Sequence, residues 1–124
     1  LLRFLVQDDE SQAAAATHVI AGLSPERPGF ISTVVLAELS WVLTRTYRMS
    51  REAVAGIVER ILQSAEMICE NREAAYRALA AYRASNSAEF ADALIAEIAF
   101  LAGASETLTF DQDAARSCGM RLLT

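Results

Sequence analysis

Lysine is absent from this chain, and all eleven of its basic residues are arginine. Every mechanism that needs a catalytic lysine is thereby excluded. Cysteine is nearly as scarce: Cys69 and Cys118 are too few for a disulfide scaffold and lack metal-ligand spacing, so a reduced, cytoplasmic setting is the default. The lone histidine, His18, lies in an alanine-rich segment, where a surface or core role outweighs that of a ligand. Long apolar runs are missing too. The nearest candidate, Phe90–Ala104, spans about 15 residues and is interrupted by Asp92 and Glu97, which leaves no membrane span. No signal peptide is visible. Positive charge is in deficit, with a net charge of −5, so general electrostatic attraction to nucleic acid is not expected. Binding of nucleic acid would need a local arginine patch or a bound cation.

More than half of the 124 residues are hydrophobic, enough for one domain with a real core. Leu1–Gln7 reads as a short apolar helix or the tail of one. Asp9 caps a helix over Glu10–Leu23, with Gln12 in the capping-box position. Ser24–Gly29, SPERPG, is the clearest breaker. A strand at Phe30–Ser32, a helix at Thr33–Tyr47 and a helix from Ser50 to Ser64 follow. Next come a strand at Glu66–Cys69 and a helix from Asn71 to Ala84. The link Ser85–Ser87 leads to the apolar helix FADALIAEIAFLAG, and Glu106–Phe110 is the best strand. Asp111–Cys118 is a short helix and Met120–Leu123 a last strand. Short strands alternating with helices predict a three-layer α/β/α fold with a short central parallel sheet, whose function gathers at the carboxyl ends of the strands.

Three carboxylates stand out from this pattern. Glu38 interrupts an apolar line, Val34–Glu38–Val42, flanked by Val35 and Trp41. A buried charge there must be paired, protonated or bound to a cation, and a salt bridge to Arg45 is the plain structural alternative. Asp92 lies at the edge of an arc made by Phe90, Leu94, Ile95, Ile98, Leu101 and Ala102, with small neighbours Ala88, Ala96 and Ala99. Its structural alternative is an acid stabilising the helix start, a role that Glu89 fits better. Asp111 directly follows a strand, where an α/β site belongs, and is also a favoured N-cap for QDAARSC. Asp113 reads mainly as a first-turn acid of the same helix. Asp8, Asp9 and the other glutamates read as solvated charge or caps. All three singled-out acids can face one rim of the sheet. Converging carboxylates are stable only with a cation or raised pKa values, and oxygen ligands imply Mg²⁺ or Mn²⁺.

In order and spacing, ISTVVLAELSWVL around Glu38, EFADALIAEIA around Asp92, TLTFDQDA around Asp111 and the closing GMRLL resemble a PIN-domain protein of the VapC toxin type. The resemblance implies a metal-dependent endoribonuclease with four acidic positions around Mg²⁺ or Mn²⁺. Glu38, Asp92 and Asp111 match the second, third and fourth, and Asp113 matches an assisting acid. The first is an aspartate at the end of a first strand, before a run such as VLLRFL. This chain opens inside that run, without methionine, so residues upstream of Leu1 are expected. The resemblance further implies hydrolysis to 5′-phosphate and 3′-hydroxyl ends, a small antitoxin partner and a toxin homodimer. Arg45, Arg48 and Arg51 form the densest basic cluster and are candidates for RNA backbone contacts, or else ordinary helix-end charge. The rival reading is a non-catalytic module that keeps the acidic pocket without a full metal site. Receiver domains and haloacid-type phosphatases fail for want of a lysine.

Overall fold

The computed structural model describes residues 1–6 and 9–124. Asp8, read above as solvated charge or a cap, and Gln7, the expected end of the first helix, lie outside them. Within the described residues helices and strands alternate: α1 (Leu2–Val6), α2 (Glu10–Ala21), β1 (Gly29–Ile31), α3 (Thr33–Arg45), α4 (Arg51–Gln63), β2 (Met67–Cys69), α5 (Arg72–Ala84), α6 (Phe90–Leu101), β3 (Leu108–Thr109), α7 (Gln112–Cys118) and β4 (Arg121–Leu122).

Helix starts are set by side chains that take up otherwise unpaired amides. Asp9 accepts from the Gln12 amide at 2.9 Å, Ser32 from Val35 at 3.2 Å and Ser50 from Ala53 at 3.1 Å. Asn71 occupies the cap position of α5, but its side-chain amide donates instead to the Thr33 hydroxyl at 3.0 Å. Together with the Thr33 amide donating to the Glu70 carboxylate at 2.8 Å, it ties the head of α3 to the end of β2.

The strands are parallel, as predicted, and fall into two pairs. β1 runs beside β2 with Phe30 opposite Ile68, and β3 beside β4 with Leu108 opposite Arg121. The mixed α/β architecture with parallel strands is the predicted one, although the described strands do not join into one central sheet. β3 is shorter than the predicted Glu106–Phe110, because a strand extends only as far as its partner and β4 offers two residues.

The core lies between the helices. Leu36, Leu39 and Leu43 of α3 meet Val54, Val58, Ile61 and Leu62 of α4, Ala74, Ala78 and Leu79 of α5, and Phe90, Ala93 and Leu94 of α6. Alanines on α5 carry no bulk, so its neighbours can pack close to its backbone. Leu43 is 0 % exposed. Replacing Leu43 with alanine is expected to cost about 2–5 kcal/mol, since its void cannot fully collapse. Urea denaturation checks this, and a loss below about 1 kcal/mol would contradict it.

Two predicted faces differ from the observed ones. The line Val34–Glu38–Val42 points away from the core: Val34 is 73 % exposed, Glu38 is exposed, and α3 buries Leu36, Leu39, Ser40 and Leu43 instead. This helix is apolar around most of its circumference, so periodicity alone did not select the buried side. On α6, burial is confined to Phe90, Ala93 and Leu94, while Ile95, Leu101 and Ala102 are exposed. In its final turns Ile98 alone of that arc packs against the core.

Candidate functional site

A small acidic cavity is lined by Ser87, Glu89, Asp92, Asp111, Asp113 and Ala114. The link 85–87 and the first turn of α6 supply one wall. The Ser85 hydroxyl accepts from the amides of Ser87 at 3.1 Å and Ala88 at 3.0 Å, making the tight turn into α6. Behind it Arg51 donates to the carbonyls of Ala88 and Tyr82, both at 2.8 Å, and of Ser85 at 3.0 Å. The same guanidinium lies 4.0 Å from the Tyr82 ring centroid, so one side chain of α4 staples the end of α5 to the start of α6.

The opposite wall comes from the end of β3. The Asp111 amide donates to the Thr109 hydroxyl at 3.0 Å, and Asp111 Oδ1 accepts from the amides of Asp113 at 2.8 Å and Ala114 at 3.1 Å. Asp111 therefore is the N-cap that the sequence suggested, and it lines the cavity as well. Its other oxygen bonds no described residue. The Ser87 and Ser117 hydroxyls, 2.8 Å apart, join the two walls.

Burial first, then the charges of Glu89 and Asp111, hold the Asp92 carboxyl above its usual range, against the opposing pull of Arg45. The Cys118 thiol is likewise pushed up, by burial and then by Asp92, Asp111 and Glu89. Two groups on different elements thus register the same concentration of negative charge. The Asp92 carboxylate makes no hydrogen bond or ion pair to any described residue. Asp113 is paired with Arg116 at 2.9 Å and Glu89 with Arg45 at 2.6 Å.

Of the sequence-predicted residues, Asp92, Asp111 and Asp113 come together. Glu38 does not join them: it lines a separate cavity with Leu1, Leu2, Val35, Leu39 and Val42, and has no ion pair to a described residue. The alternative salt bridge from Glu38 to Arg45 is not formed, because Arg45 reaches Glu89. Arg48, exposed and with a positive φ of 52°, stands where the chain leaves α3. Arg51 spends its donors on backbone carbonyls. Glu89 was read only as a helix-start acid, yet it belongs to the cavity. Its spacing of three from Asp92, which puts two residues on one helix face, was the available signal.

Among the described residues no group of three or more His, Cys, Asp or Glu side chains is close enough to enclose a metal. Mg²⁺, however, is commonly held by one or two carboxylates and keeps several waters. An all-oxygen pair in which one carboxylate is raised by burial and then by its neighbours' charge fits such an ion, which would relieve the repulsion.

A family model for the PIN domain matches residues 1–119. No curated protein and no solved structure matches the chain. Among the described residues, no helix is long and apolar enough to cross a membrane.

Proposed function

The chain belongs to the PIN-domain family, whose members are in general nucleases, and from that premise we propose a Mg²⁺- or Mn²⁺-dependent endoribonuclease that acts as the toxin of a toxin–antitoxin pair. The observation that carries the reading is the meeting of Asp92 and Asp111, from a helix and a strand end, in one charge-strained cavity. Asp92 and the oxygen of Asp111 not used in capping would hold the cation. Asp113, at present paired with Arg116, is the assisting acid. When bound, the ion supplies charge neutralisation at the phosphate and acidifies its water.

The protein groups have distinct tasks in this scheme. Asp111 Oδ1 keeps the head of α7 closed while its second oxygen serves the site. Arg45, exchanging Glu89 for a non-bridging phosphate oxygen, positions the strand beside Asp92. Glu38, which lines a separate cavity on α3, is proposed as a third acid of the site. A small antitoxin, basic where it meets the acidic cavity, and a homodimer in the cytoplasm complete the proposal.

The separation of Glu38 from the other two acids favours one competing reading, a binding module with an incomplete metal site. Structured RNAs incubated with the chain in Mg²⁺, Mn²⁺ or EDTA distinguish the two, with Glu38→Gln alongside. Cleavage in Mg²⁺ or Mn²⁺ that stops in EDTA is expected. A smaller loss is expected for Glu38→Gln than for changes at Asp92. Cleavage that persists in EDTA overturns the mechanism, and binding without cleavage in any metal selects the module.

A further inference from the structure

Beside the acidic cavity lies a second concavity, lined by Ser40, Trp41, Thr44, Arg45, Tyr82 and Glu89 among others. The two share Glu89. Trp41, the only tryptophan in the chain, is 50 % exposed there. The Arg45 guanidinium lies 5.0 Å from its ring centroid and is fixed at its far end by Glu89. Trp41, Arg45 and Glu89 thus form a continuous row that ends at the acidic cavity.

From this row we infer that Trp41 and Arg45 are a stacking subsite for an unpaired nucleobase of the RNA strand whose phosphate is held at Asp92 and Asp111. The inference rests on the nuclease reading and adds to it the form of substrate, single-stranded at this point. Charge argues for it. A chain with a net charge of −5 gains little from general attraction to phosphate, and Arg51, its donors turned to three carbonyls, does not offer them to the RNA backbone. Binding must then draw on a contribution that does not depend on net charge. Stacking on an indole is such a contribution, tolerates any base, and is strengthened by a neighbouring arginine. A base inside a duplex has no free face to offer, so paired RNA does not use the subsite.

The position of the single tryptophan makes its own emission the probe. A single-stranded RNA of about ten nucleotides, within the usual footprint of such sites, is titrated into wild-type chain in EDTA and into Asp92→Asn in Mg²⁺. Quenching of Trp41 is expected, with a shallow salt dependence. Trp41→Ala should weaken binding, followed by anisotropy of labelled RNA, about 5- to 150-fold, and Trp41→Phe should restore most of it. Duplex RNA should leave the emission unchanged. If RNA is cleaved while Trp41 stays silent and Trp41→Ala binds normally, the subsite falls and the nuclease reading stands. RNA that quenches wild-type Trp41 and binds Trp41→Ala more weakly, without cleavage by wild type, keeps the subsite and removes the catalytic reading. Failure of RNA to bind in both arms overturns the subsite, and cleavage by wild type in Mg²⁺ then decides the nuclease reading. Emission that changes only with protein concentration makes Trp41 a protein contact and overturns the subsite.

Discussion

Asp92→Asn is expected to abolish metal-dependent RNA cleavage while making the metal-free chain more stable at neutral pH. Both outcomes have one cause. Asp92 is held above its usual carboxylate range by burial and by Glu89 and Asp111, so its ionised form is strained in the folded chain. In the unfolded chain that strain is gone and the group ionises near its ordinary value of 3.8. Between the unfolded and the raised folded pKa the folded state binds more protons, so stability falls as pH rises through that window. Asparagine carries no charge to strain, and its gain over wild type is therefore present above the window and vanishes below it. Cleavage should fall by at least about 10²-fold, the scale for losing one group that organises transition-state charge. Thermal melts across pH 3–8, with and without Mg²⁺, separate the two effects. Saturating metal should stabilise wild type, by about 2.7 kcal/mol at a hundredfold excess over Kd, and the variant much less. A variant destabilised at neutral pH without metal would contradict this account of Asp92.

Arg51→Ala should be among the most damaging single changes on the surface of α4. It removes the donors of three backbone carbonyls and the cation over Tyr82 together. Hydrogen bonds from a charged donor contribute about 1.5–3 kcal/mol each, and carbonyls left unpaired carry a penalty; partial access of water at this half-buried site reduces the sum to about 2–4 kcal/mol. Arg51→Lys should recover only a part, because a single ammonium cannot match the geometry of a planar fork. Urea denaturation reads the loss. A cost under about 0.5 kcal/mol in Arg51→Ala would mean that water satisfies those carbonyls and that the staple is dispensable. The same variant should weaken cleavage, since the turn into α6 aims Asp92.

Much of the helix layout was legible because its signals are local. Asp9, Ser32, Ser50 and Asp111 cap their helices by bonding amides two or three residues away, and short-range chemistry of this kind is written directly in the chain. The buried faces of α3 and α6 were not legible. Both helices carry apolar residues on nearly every side, so the choice between Val34 and Leu36, or between Ile95 and Ala93, was made by neighbours distant in sequence. Asn71 illustrates the same limit, since a residue suited to capping found a better partner in Thr33. Asp92 and Asp111, which line one cavity, stood out in the sequence because each interrupts or terminates a regular element. Glu89 did not stand out because a helix-start position accounted for it, and Arg51 was read as a candidate RNA contact because no pattern distinguishes an arginine bound to carbonyls from one bound to water.

The bond economy of Asp111 ties local order to ligation. One of its oxygens closes the first turn of α7, a helix of only seven residues. A helix so short frays readily when it loses its cap. Whatever engages the other oxygen restrains that carboxylate and, through it, the opening turn, so part of any affinity at the cavity is spent on, or recovered from, the ordering of α7. Amide exchange at Asp113 and Ala114 would then serve as a gauge of occupancy that requires no turnover.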